Sequence, residues 1–343
     1  MNYSQIMCSK NTPINYEQKF LEKKVFILKK YYEMYYKGYI YASSGNKIFR
    51  KKLNDEKWES YMKIEDLSIL NYFDLYNRLL REGIHNFYKV DDEIDAVVLK
   101  GQIVFYKNRK LLNRLIIEKG SKPLKNGVLF QQDRIIYSEY YNNKNREPVH
   151  VYEYDFYKNK RSIIYTFTNI RHVHFIQQDK TDGNIVYIGT GDLDNESGIY
   201  KFDLKNREIE EIGRGSQVWR AVSILQFGNY LIWGMDSPEE DAYIVRYNLN
   251  NGKLEKLKKI EGPAYYSTIN RRGIMFIGTT VENRKKHKAI VYKSEDGIKW
   301  EATKEYKKDI FHLKYFGFGK ISFINNQEEL EELYINLVGL KDV

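Results

Sequence analysis

The chain has 343 residues, with 56 Lys and Arg against 46 Asp and Glu for a formal charge of +10, and 15% aromatic residues dominated by 31 Tyr. A single cysteine, Cys8, excludes an intrachain disulfide framework, no apolar run reaches the length of a membrane span, and no nucleic-acid-binding motif accompanies the scattered lysines. The aromatic, Pro-poor composition favours half-buried sheet, and the polar first residues carry no apolar signal core, so a cytoplasmic location is expected.

In chain order, the first 120 residues read as two irregular units. One spans about 37–64 ("YIYASSGNKIFRKKL", "KWESYMKI") and the other about 90–120 ("IDAVVLKGQIVFYKN"). Between them, Leu67, Leu70, Phe73, Tyr76 and Leu79 or Leu80 recur at helical spacing. This predicts an amphipathic helical insertion over 65–83, packed on the main body.

Beyond residue 127 the pattern becomes periodic. Short apolar and aromatic runs begin at Arg134, Asn184, Asn229 and Gly273, at steps of 50, 45 and 44 residues. A second series begins at Val149, Gly198, Tyr243 and Ala289, at steps of 49, 45 and 46. Two series in register, with four short strands per unit and Asn, Asp and Gly turns between them, are the mark of propeller blades. These units cover about 127–169, 172–215, 218–262 and 265–309. A final run at 315–325 is expected to close the ring, because an open ring leaves sheet edges unpaired. The expected fold is all-β: one domain over 1–343, a β-propeller of about six blades of four-stranded antiparallel sheets, with the short helical insertion.

Alternating strand direction places the entry to each innermost strand and each loop between the second and third strands on one face. The strand entries bring Arg171, His172, His174, Gln217, Trp219, Arg220, Tyr265 and Tyr266 there, and the loops bring Asp192, Asp194, Glu196, Asp236, Glu239 and Glu282. His172 and His174, two apart on a strand, share a side; they suit either a divalent metal or hydrogen bonds to neighbouring backbone. No other cofactor is indicated. His150 and His312 are weaker candidates for the same face. Asp192, Asp236 and Glu282 take corresponding positions around the ring and read as candidate catalytic carboxylates, with His172 and Tyr265 beside them. Arg171 and Arg220 suit a substrate carboxylate. Gln217, Trp219 and Tyr266 read as substrate contacts, although inner-strand aromatics serve equally well as core.

Ser294, Asp296, Gly297 and Trp300 in "KSEDGIKWE" match a shortened Asp-box. On this motif and the repeat over 127–309, the chain resembles the sialidase-like (BNR) β-propeller superfamily, in which the Asp-box is structural. It lacks the Arg-Ile-Pro motif of true sialidases. "RHVH", "TGDLDNESGIY", "GSQVWRAV", "WGMDSPEED" and "GTTVEN" look closer to uncharacterised propellers found with polysaccharide-assembly enzymes. The His-x-His tripeptide is similar to that on an inner strand of metal-dependent oligogalacturonate lyases. These resemblances imply a carbohydrate-processing, glycoside hydrolase-like propeller acting on an acidic glycan at the channel mouth. Two alternatives stay open: a metal-dependent polyuronate lyase using His172 and His174, and a non-catalytic glycan-binding scaffold partnered with polysaccharide-assembly enzymes.

Overall fold

A computed structural model describes residues 29–282, 288–309 and 319–342. Cys8, His312 and residues 315–318 of the expected closing strand lie outside them.

Among the described residues, six successive antiparallel sheets make up the ring. The first holds β1 (Tyr31–Tyr36), β2 (Tyr39–Ser44), β3 (Lys47–Lys52) and β4 (Glu59–Lys63). The second holds β5 (Asn86–Lys89), β6 (Ile94–Leu99), β7 (Gln102–Lys107) and β8 (Lys110–Ile116). The third holds β9 (Val128–Gln131), β10 (Arg134–Ser138), β11 (Val149–Asp155) and β12 (Lys160–Phe167). β13 (His172–Gln178), β14 (Ile185–Gly191), β15 (Gly198–Asp203) and β16 (Glu208–Arg214) form the fourth. β17 (Leu225–Phe227), β18 (Tyr230–Gly234), β19 (Tyr243–Asn248) and β20 (Leu254–Lys259) form the fifth. The sixth has β21 (Ala264–Ile269), β22 (Met275–Val281), β23 (Lys288–Ser294) and β24 (Glu301–Lys308), extended by β25 (Gly319–Phe323), β26 (Ile335–Val338) and β27 (Leu340–Asp342). This is the six-bladed all-β propeller that the repeat predicts.

The reason for the period lies in the packing. Each blade is apolar on both faces of its middle strands and must be sandwiched by its neighbours. Ile48, Phe87, Val97 and Val104 fill the space between blades one and two. Ile136, Val151, Val173 and Ile188 fill that between three and four. The outermost strands face solvent on one side and are rich in Lys and Glu, which protects their edges. In all six blades the third and fourth strands slip register once, and such bulges add twist where the sheet fans outward.

β1 lies before the start near 37 that the sequence suggests. Its "YYEMYY" has two adjacent buried residues, Glu33 and Met34, so it lacks the alternation of a strand. The ring closes here. Asn325 N donates to Glu33 O at 2.9 Å, Tyr35 N donates to Asn325 O at 3.0 Å, and the Asn336 side chain bonds both the amide and the carbonyl of Tyr32.

The insertion contains a 3-10 turn (Ile69–Tyr72) and the seven-residue helix α1 (Asp74–Leu80). Its expected apolar face does not pack as a unit. Leu67 is buried ahead of the helix, whereas Leu70, Phe73, Leu79 and Leu80 are all exposed. Two short segments divided at Phe73 do not keep the helical spacing that aligned those residues in the sequence.

Candidate metal centre and channel

β13 carries His172 and His174 to the inner mouth of the fourth blade. The register of β13 on β14 slips between Val173 and Phe175, so His174 is the inserted residue of a β-bulge. A bulge re-aims a side chain that a regular strand would direct elsewhere. The same device recurs on two other inner strands: Glu33 is the inserted residue of β1 and Tyr265 that of β21.

The two imidazoles are held by their Nδ1 atoms, His172 on Tyr141 O at 3.3 Å and His174 on Ala221 O at 3.1 Å. A carbonyl only accepts, so each Nδ1 carries a proton, and each ring turns its Nε2 into the site. These atoms face each other at 3.1 Å, and both approach Asp192 Oδ1, at 3.3 Å from His172 and 3.2 Å from His174. Two ring nitrogens and a carboxylate oxygen thus converge on one point, an arrangement that requires a proton or a cation between them. Burial pushes the His174 imidazole down to about 4, with His172 adding to the shift, which disfavours the proton. Metal–ligand bonds of about 2.1 Å place neighbouring ligands about 3.0–3.4 Å apart, and this triangle falls in that window. Two imidazoles with one carboxylate suit a divalent first-row metal, and the carbonyl-anchored Nδ1–H groups are the outer contacts such ligands use.

Asp192 is the hub. Against the cost of burial, its contacts with His172 and His174 hold the carboxyl well below the usual carboxylate range. Arg171 Nη1 reaches its Oδ2 at 2.7 Å and Arg220 Nη2 its Oδ1 at 3.1 Å. Gln217 Nε2 donates to Asp192 O at 2.9 Å and to Asp194 Oδ1 at 3.0 Å. Arg220 also bridges to buried Asp236, Nε to Oδ2 at 3.1 Å. Burial pushes the Asp236 carboxyl up to about 7, and its Oδ1 has no hydrogen-bond partner. Glu282 is pushed up by burial and pairs with the Tyr265 hydroxyl, which burial holds well above the usual phenol range. Gly191 permits this crowding: a Cβ there would lie 2.8 Å from His174 Cε1 and 3.3 Å from Arg220 Cγ.

The expected residues therefore divide. Arg171, His172, His174, Asp192, Gln217, Arg220 and Asp236 form one bonded network, and Glu282 and Tyr265 adjoin it electrostatically. Gln217 props the Asp192 loop, a positioning role that the sequence left open as substrate contact. Trp219 is not at the mouth: it stacks on Trp233 at 5.6 Å and sits against Gly213, where any Cβ would collide with its ring. Tyr266 is buried in the sixth-blade core with one side on the channel. Glu196 is buried as a structural acid that binds Arg146 and the amide of Arg171. Glu239 is exposed, and His150 bonds Thr166 Oγ1 away from the network. Sequence reasoning missed Tyr140, whose ring lies 4.2 Å from that of His172, and Asn142, which accepts from Arg171 Nη2 at 2.6 Å. Both stand in the loop between the second and third strands of blade three, the class of loop that supplied Asp192.

Tyr140 and Tyr265 also line a cavity of about 410 Å³, whose wall includes Tyr266, Glu33, Lys122 and Lys125. Lys125 also lines a second cavity of about 510 Å³ beyond it, so its side chain stands between two chambers of the channel.

No family model matches the sequence, and no curated protein matches it. Among solved structures, the chain is similar to prolyl oligopeptidase B from Galerina marginata (TM-score 0.52, 11% identity), over 88% of this chain and 45% of that one. It is similar to hydrazine synthase from Kuenenia stuttgartiensis (TM-score 0.50, 9% identity), over 70% of this chain and 73% of that one. A putative TolB from Agrobacterium tumefaciens aligns with TM-score 0.48 and 11% identity, over 73% of this chain and 85% of that one. At these identities the likeness establishes the propeller fold alone.

The sialidase-like assignment is overturned: the propellers that align with this chain at a TM-score of 0.50 or more include those of prolyl oligopeptidase B and hydrazine synthase. The turn itself explains why the motif misled. Asp296 Oδ1 accepts from the amides of Ile298 and Lys299, Ser294 Oγ accepts from Gly297 N, and Trp300 is buried. Asp155, Asp203 and Asn248 make the same two-amide turn in the preceding three blades without the Ser, Gly and Trp. The Asp of the box is general turn chemistry here and carries no ancestry. Among the described residues, no helix is long and apolar enough to cross a membrane.

Proposed function

We propose that this propeller is a metal-dependent lyase that cleaves a uronate-containing glycan at the mouth of its channel, with the cation held by His172, His174 and Asp192. The observation that carries the reading is the convergence of two imidazole Nε2 atoms and a carboxylate oxygen within 3.1–3.3 Å of one another. A bound divalent cation would pair with a substrate carboxylate and acidify the adjacent C–H. A hydrolase using Asp192 as general acid is disfavoured, because this carboxyl stays ionised and is committed to two guanidinium groups.

Proton transfer falls to Glu282 and Tyr265. Tyr265 stays protonated at neutral pH and is suited to donate rather than to act as base. In β-elimination, Glu282 takes the proton α to the substrate carboxylate and the released electron pair forms the C=C bond. The glycosidic C–O bond breaks and its oxygen takes the Tyr265 proton. Glu282 then returns its proton to Tyr265 across the contact the two already make, and no water is consumed. Tyr140 and Tyr266 offer aromatic and hydroxyl surface for sugar rings.

The test is incubation of manganese- or zinc-loaded protein with polygalacturonate and alginate. New reducing ends and the ultraviolet absorbance of an unsaturated uronate should rise together. Reducing ends without that absorbance would replace elimination by hydrolysis, and no product from either polymer would remove the uronate lyase reading.

A further inference from the structure

Away from the metal ligands, this cavity gathers an unusual set of charges. Lys122, Lys125 and Lys320 line the cavity of about 410 Å³, together with the exposed Arg81. These cations come from separate parts of the chain, so a single charged surface run does not explain them. Lys125 Nζ donates to Phe323 O, and Lys320 stands over the Tyr266 ring at 6.0 Å.

Two carboxylates line the same cavity: Glu82, which is paired with Lys100 at 3.0 Å, and Glu33, the bulge residue of β1. Its oxygens are already engaged, Oε1 accepting from Ser43 Oγ at 2.5 Å and Oε2 from Phe87 N at 3.1 Å. Burial raises the Glu33 carboxyl to about 7, so it is a weak counterion. Burial lowers the Lys122 ammonium to about 7, with Lys320 and Arg81 repelling it further. His85 adds a further imidazole to the same wall. A protein seldom encloses several like charges in a void without something to neutralise them.

We infer that this chamber is a binding site for a multiply charged oxyanion group, held by Lys122, Lys125 and Lys320 with Arg81 beside them. The group is phosphoryl, or a carboxylate pair, on a ligand whose remainder extends past Tyr140 and Tyr265 towards the mouth. The inference does not rest on the metal centre, since none of these residues contacts His172, His174 or Asp192. A ligand of about sugar-phosphate size fits a cavity of this volume.

The experiment uses the full chain stripped of metal by chelation, so its outcome is separate from that of the lyase reading. Inorganic phosphate and, in a parallel arm, tartrate are titrated by calorimetry, and thermal unfolding is followed in each. Saturable binding of either is expected, weakened at least tenfold in Lys122→Gln and in Lys320→Gln, and the tighter arm identifies the group. Each variant is also expected to unfold at a higher temperature than the parent in anion-free buffer, because a repelled charge has gone. Absence of saturable binding of both anions by the folded parent, or equal binding in the parent and either folded variant, overturns the site.

Discussion

His174 sits at the inserted position of a β-bulge and lies 2.8 Å from where a Cβ of Gly191 would be, so the ring reaches Asp192 only because residue 191 has no side chain. The metal centre thus depends on a backbone irregularity on one strand and a missing side chain on its neighbour. Gly191→Ala should therefore cost about 1–3 kcal/mol through overpacking and weaken zinc binding roughly tenfold. Calorimetric zinc titration checks this; unchanged affinity in the folded variant would show that His174 is not a ligand.

Asp192 is expected to matter twice, as a ligand and as counterion to Arg171 and Arg220. Asp192→Asn keeps the shape but leaves two guanidinium groups short of a partner, at a cost of about 3 kcal/mol. Metal affinity should fall by more than about 100-fold, beyond the roughly 10–100-fold loss typical of an outer contact. Urea unfolding and metal titration measure the two effects separately.

Trp219 supplies the contrast. It packs between blades four and five on Trp233 and Tyr247, at 5.6 and 5.5 Å. Trp219→Ala should lower stability by about 3 kcal/mol and leave metal affinity and turnover at parental values. A folded variant that has lost turnover would return Trp219 to the substrate site.

The anion chamber should respond to pH in a direction fixed by its own groups. The Lys122 ammonium is lowered by burial to about 7 and that of Lys125 to about 8, while the Glu33 carboxyl is raised to about 7. On acidification two cations appear and one anion is lost. Burial keeps His85 neutral and Tyr88 protonated, and Glu82 on the same wall is engaged by Lys100 at 3.0 Å. Sulfate, whose charge is constant in this range, should therefore bind at least roughly tenfold more tightly near pH 6 than near pH 8. Affinity that is flat or rises with pH would contradict this assignment of charge.

Much of the fold was legible because a blade buries both faces of its middle strands, so "NIVYIGT" and its counterparts had to be apolar at a fixed interval. β1 was not, because its bulge puts Glu33 and Met34 side by side in the interior. The mouth was legible where strand direction alone decides the face, as for His172, Asp192 and Arg220. Tyr140 obeys that same rule and was within reach of it. Trp219 was misplaced because an aromatic at a strand entry packs equally well between blades or into the opening. Lys122 and Lys320 carried no signal, since among 56 basic residues nothing in the sequence separates a channel wall from a solvated surface.

The central claim is that three acceptor atoms enclose a cation, and metal content tests it most directly. Protein purified, stripped and dialysed against equimolar manganese, iron(II) and zinc should retain one divalent ion per chain by elemental analysis. His174→Ala, still folded by circular dichroism, should retain none. Parent protein that holds no metal, or a folded His174→Ala that holds as much as the parent, would contradict the account and leave these residues as a buried ion-pair network.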